Sequence, residues 1–81
     1  MQVKTTRILI VDDEPLFREL LSRVLSGERG LQVLGVAENG EAAIQLAAEL
    51  SPDVVLMDIE LGGQMDGIEA ALHIKAKSPD T

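Results

Sequence analysis

The chain has 81 residues, no cysteine and a formal net charge of −7 at pH 7, which leaves room for one small domain with a thin core. Its 46% hydrophobic content argues against disorder, its acidic balance disfavours direct nucleic-acid binding, and without cysteine there is no disulfide framework, thiol chemistry or Cys-based zinc site. The apolar run after Met1–Arg7 is only four residues long, too short for a signal peptide or a membrane span, so the sequence reads as a cytoplasmic domain.

Arg7–Val11 reads as a first strand, buried on both faces because Ile8–Val11 is continuously apolar. Pro15 favours a helix start, and Leu16, Phe17, Leu20, Leu21, Val24 and Leu25 follow at helical spacing. Gly27 and Gly30 supply the stop. Leu31–Ala37 is a second strand, weakened at Gly35. After the turn Glu38-Asn39-Gly40, a second helix runs over Glu41–Leu50 with Ile44, Ala47 and Leu50 on its apolar face. Ser51-Pro52-Asp53 breaks it, and Val54–Met57 is the third strand. A loop with Gly62-Gly63 leads to Asp66, which can cap a third helix from Gly67 to about Lys77. That helix is expected to turn Ile68, Ala71, Leu72 and Ile74 toward the sheet. Phe17 is the one aromatic residue, so Leu, Ile, Val and Ala must fill the core.

Strand, helix, strand, helix, strand, helix implies parallel βαβ units. Asp12 and Asp13 directly follow the first strand, and Asp58 directly follows the third. Open α/β sheets build their sites at the carboxyl ends of strands. If the first and third strands are neighbours, roughly 4.8 Å apart, the three acids converge. Two unit charges about 4 Å apart repel by about 4 kcal/mol at an effective dielectric of ~20, so such a cluster wants a divalent cation, a shared proton or both. Strand order 2-1-3 permits the convergence and 1-2-3 separates the acids by a whole strand. In the 2-1-3 order the first helix covers one face, and the second and third cover the other.

The stretches ILIVDDEP, AENGEAAIQLAAELSPDVVLMD and MDGIEA, in this order, resemble the response-regulator receiver domains of two-component signalling. The resemblance covers nearly the whole chain. It implies a flavodoxin-like, doubly wound parallel sheet. It also implies that Asp58 accepts a phosphoryl group from a phosphohistidine on a sensor histidine kinase or phosphotransfer protein. Mg²⁺ or Mn²⁺ is then held by Asp13, Asp58 and the main-chain carbonyl of Glu60, with Asp12 acting through water or by orienting the others. The chain is the acceptor in such a relay and not an enzyme beyond self-phosphorylation from a phosphodonor and autodephosphorylation.

The family's further two strands and two helices are absent from this sequence, so residues 1–81 read as a single receiver domain incomplete at its carboxyl end. The family's phosphate-binding Ser or Thr and its Lys have no counterpart here. Lys75 and Lys77 fall on the third helix, and Thr81 precedes the expected fourth strand. Phosphorylation of the 81-residue chain is therefore expected to be impaired. The third strand becomes an apolar edge, so the chain is expected either to self-associate or to remain only marginally folded.

Plainer roles compete at single positions. Asp12 or Asp13 alone could cap a helix, Asp53 reads as a turn residue, Asp66 as a cap and Gly67 as a close-packing residue. His73 reads as a surface or partly buried histidine, Met57 as core filler and Met65 as a loop residue. Two other function classes are a binding or assembly module with a vestigial acid pocket and a phosphotransferase of the haloacid-dehalogenase type. The latter wants Asp-x-Asp after its first strand, where this chain has Asp12-Asp13-Glu14.

Overall fold

The structure, a computed structural model, describes residues 4–81; the first three residues of the Met1–Arg7 stretch lie outside it. In chain order the elements are β1 (Thr6–Val11), α1 (Pro15–Ser26), β2 (Leu31–Ala37), α2 (Gly40–Leu50), β3 (Val54–Met57) and α3 (Gly67–Lys77). The three strands form one parallel sheet in the order β2-β1-β3. This is the 2-1-3 arrangement that acid convergence favours.

β1 is central because its side chains satisfy both faces of the sheet. Side chains alternate across a strand, and Ile8, Leu9, Ile10 and Val11 are all buried. Leu9 and Val11 join Ala37, Ala43, Ala47, Leu61 and Ile74 in the core on the side of α2 and α3. Ile10 faces the other side, where it lines a groove with Phe17 and Leu21 of α1. The β1–β2 register slips between Ile8 and Leu9, so that Ile8 pairs with Val33 and Leu9 with Gly35. The weak point expected at Gly35 is thus a bulge that places one extra residue, Leu34, on β2.

Each helix boundary has a local cause. Pro15 opens α1, where its missing N–H costs nothing. Asn39 caps α2 by accepting the Ala42 N–H at 2.8 Å, and Asp66 caps α3 by accepting the Glu69 N–H at 2.8 Å. At the end of α1 it is Gly30, not Gly27, that takes the left-handed backbone, with φ of 85° against −81°. The carboxyl end of α2 is closed by Arg7, whose guanidinium donates to the Leu50 carbonyl at 2.6 Å and the Ser51 carbonyl at 2.8 Å.

Two expected apolar faces are corrected by the packing. α3 buries Gly67, Ala70 and Ile74, while Ile68 and Leu72 are 56% and 66% exposed. α3 packs chiefly on α2, whose buried residues are Gly40, Ala43 and Ala47. Small side chains on both helices allow that close approach, and this turns Ile68 and Leu72 away. α1 buries none of its residues. It is the one helix on its face among the described residues, lying mainly over β2, so Leu16 and Leu20 stay 74% and 57% exposed.

Candidate functional site

The β1–α1 and β3–α3 loops meet at the carboxyl ends of two neighbouring strands, with Val11 paired to Met57 across the sheet. Asp12 and Asp58 follow those residues, and the Asp58 N–H donates to the Val11 carbonyl at 3.1 Å. This bond extends the ladder one step beyond the strands and fixes the two loops at one height. Asp12, Asp13 and Asp58 each offer a carboxylate oxygen, and these oxygens lie within 4.8 Å of one another. Asp12 and Asp58 are half-buried and Asp13 is exposed. The acids stand at the rim of a groove of about 650 Å³ whose apolar wall includes Ile10, Phe17, Leu21 and Leu56.

One oxygen of each carboxylate is engaged by a backbone N–H. Asp12 Oδ1 accepts from Glu14 at 2.8 Å and Asp58 Oδ1 from Glu60 at 3.1 Å, both two residues along the chain. Asp13 differs: its Oδ2 accepts the Gly62 N–H at 3.1 Å from the opposite loop. No Lys or Arg side chain among the described residues bonds any of the three carboxylates. Neutral N–H dipoles orient these oxygens without cancelling their charge, so the repulsion between them persists. Oxygen ligands alone, with room for water at an open rim, make a donor set for a hard divalent cation such as Mg²⁺.

All three acids named from the sequence are therefore brought together. Glu60 lies exposed in the β3–α3 loop, and its N–H supports Asp58. Asp53 is the turn residue expected, its carboxylate accepting the Arg7 N–H at 2.8 Å, and His73 is exposed on α3. Three contributors were not legible in the sequence, and a fourth, Gly67, is the close-packing residue expected. Arg18, one turn into α1, donates to the Asp12 carbonyl at 2.8 Å. Gly62 holds Asp13. Met65 packs against Gly40, where an added Cβ would meet its Sδ at 3.1 Å. Gly67 is seated so closely that a Cβ there would collide with the Asp58 carbonyl oxygen, and its N–H donates to the Ile59 carbonyl at 2.9 Å. The dipeptide Asp66-Gly67 was the available signal for the last of these. The contacts of Gly62 with Asp13 and of Met65 with Gly40 join residues far apart in sequence, and Arg18 reaches back out of its helix to Asp12.

Residues 8–81 match the family described as the response regulator receiver domain. A protein-glutamate methylesterase/protein-glutamine glutaminase of Shewanella denitrificans is 45% identical over 75 residues, covering 93% of this chain and 19% of that protein. Its counterpart in Nocardioides sp. is 49% identical over 70 residues, covering 86% of this chain and 19% of that protein. The response regulator domain of Thermotoga maritima CheB superposes with a TM-score of 0.88 at 38% identity, over 94% of this chain and 56% of that one. The signal receiver domain of the response regulator NarL from Mycobacterium tuberculosis gives 0.84 at 38% identity, over 91% and 59%. The chain thus spans about a fifth of the curated relatives and somewhat more than half of the solved receivers. Sequence, strand order and the placement of the acids agree, and the chain belongs to the response regulator receiver domain family.

Proposed function

We propose that this chain is the acceptor of a His-to-Asp phosphorelay, with Asp58 taking a phosphoryl group from a phosphohistidine on a sensor histidine kinase or phosphotransfer protein. The observation that carries the reading is the convergence of the Asp12, Asp13 and Asp58 oxygens within 4.8 Å at the ends of adjacent strands, in a chain of the receiver family. Asp58 Oδ1 is taken up by the Glu60 N–H, which leaves Oδ2 as the oxygen free to attack phosphorus. In the transfer an Asp58 oxygen forms a P–O bond while the P–N bond to the partner's imidazole breaks. The imidazole nitrogen keeps the electron pair.

Such transfer depends mostly on alignment and on neutralising charge. Bound Mg²⁺ or Mn²⁺ supplies that neutralisation at the phosphoryl oxygens. Asp13 and Asp58 would hold the cation directly, with the Glu60 main-chain carbonyl as a further ligand and Asp12 acting through water or by orienting its neighbours. Arg18 fixes the Asp12 backbone, and the N–H groups of Glu14, Glu60 and Gly62 keep each carboxylate aimed.

Incubation with acetyl phosphate and Mg²⁺ tests the reading. A hydroxylamine-labile acyl phosphate is expected at Asp58, at low yield in the 81-residue chain because the family's Lys and Ser or Thr have no counterpart here, and none in Asp58→Asn. A label of the same yield in Asp58→Asn would refute the assignment. Amide shifts during Mg²⁺ titration are expected to move first around residues 11–14 and 58–60. In Asp13→Asn the affinity should fall at least about tenfold. Even shifts over the whole acidic surface would count against a cation at this site.

A further inference from the structure

We infer that Gly62 is a positioning residue for Asp13, through its backbone N–H and its lack of a side chain. The inference rests on the acceptor and cation reading given above. The three acids are held differently. Asp12 and Asp58 are each oriented by an N–H two residues onward, a tie that any local turn of this kind supplies. The tie on Asp13 spans 49 positions, from the β3–α3 loop back to the β1–α1 loop. It is the one hydrogen bond to a site carboxylate that links the two loops among the described residues.

The bond does two things at once. Asp13 is the exposed member of the trio, with little packing to restrict its rotamers, so an N–H on Oδ2 restricts the orientation of its carboxylate beside the other acids. It also pins Gly62, and with it the short loop that includes Glu60. A Cβ at position 62 would sit 3.2 Å from Asp13 Oδ2 itself, so the carboxylate would have to shift by a few tenths of an ångström from its bonded position. A neutral N–H withdraws little charge from the carboxylate, whereas a freely rotating Asp13 must be ordered when a cation arrives. Orientation therefore outweighs charge withdrawal, and the bond tightens cation binding.

At 81 residues the chain is accessible to total synthesis by ligation, so the Leu61–Gly62 amide can be replaced by an ester. This removes the N–H and adds no side chain. Mg²⁺ titration followed by amide shifts is expected to give the same set of responding residues with affinity weaker by about three- to tenfold. Gly62→Ala, which keeps the N–H and crowds Oδ2, should also bind Mg²⁺ more weakly, and it carries the comparison if the ester chain loses its amide dispersion. A merely structural role for Gly62 would lower the urea midpoint of the altered chains without weakening Mg²⁺ binding by the folded chain. A scalar coupling across the hydrogen bond, between the Gly62 nitrogen and the Asp13 carboxyl carbon, reports the bond itself and is expected in the cation-free chain. Equal or tighter Mg²⁺ binding in both altered chains, or absence of the coupling, overturns the inference while leaving the acceptor reading intact. Absence of saturable shifts in the unaltered chain overturns the cation reading and this inference together.

Discussion

Single residues in this molecule carry effects that their type alone does not announce. Gly67 is the sharpest case. Its Cα rests on the Asp58 backbone, and a methyl group added there would run into the Asp58 carbonyl oxygen and lie 2.9 Å from the carbonyl carbon. Either α3 or the acid loop must then move. Gly67→Ala is expected to lower stability by about 1–3 kcal/mol, as for other overpacked sites, and to weaken Mg²⁺ binding as well. Urea denaturation together with a Mg²⁺ titration reads both. Ser51 is the converse. It closes α2 with φ of 49° and is the one non-glycine residue with positive φ among those described. A left-handed residue with a Cβ carries a penalty of about 1 kcal/mol, so Ser51→Gly should raise the urea midpoint by a corresponding amount, partly offset by the greater freedom of glycine in the unfolded chain.

Among the elements, α2 depends on a residue of β1. Its last carbonyls have no helical partners, and Arg7 reaches across to two of them, at Leu50 and Ser51. The Arg7 backbone meanwhile exchanges bonds with Asp53, the N–H to its carboxylate and the carbonyl from its N–H, each at 2.8 Å. The start of β1, the end of α2 and the entry to β3 are tied at one corner. Arg7→Ala should cost about 1–2 kcal/mol by thermal or urea unfolding, and Arg7→Lys should recover little, because an ammonium cannot span two carbonyls as a planar fork does. Full recovery by Lys would show that charge near the helix end, rather than the paired bonds, is what matters.

At the scale of the whole molecule, the sheet's two faces are unequally covered. α2 and α3 close one face over Leu9 and Val11. On the other, α1 leaves Phe17 50% exposed, and the edge strand β3 leaves Val54 and Leu56 each 38% exposed. The β3 edge carries neither charge nor proline within Val54–Met57, the usual shields of a free edge. Burying apolar area yields about 25 cal/mol per Å², so the 81-residue chain is expected to self-associate through this edge and the α1 groove. Sedimentation equilibrium should show mass rising with concentration, and an unfolding midpoint that rises with it. A monomer with a concentration-independent midpoint would count against association. Val54→Lys, which places charge on the edge, should return the chain to a monomer.

The sequence by itself determined the order and type of the elements. The buried run Ile8–Val11, the helix opener Pro15 and the cap residues Asn39 and Asp66 act through local geometry that neighbouring residues set. It also marked Asp12, Asp13 and Asp58, because acids just past apolar strands have a known place in parallel sheets. Only the tertiary structure decided which faces of α1 and α3 are buried, since helical periodicity does not say what the helix will meet. Ile68 and Leu72 have the spacing of a core face, yet with α3 packed on α2 the buried residues are Gly67, Ala70 and Ile74. The bonds from Gly62 to Asp13 and from Arg7 to Leu50 join positions 49 and 43 apart. No local pattern encodes such pairs. They exist because the sheet order β2-β1-β3 places the two ends of each bond side by side.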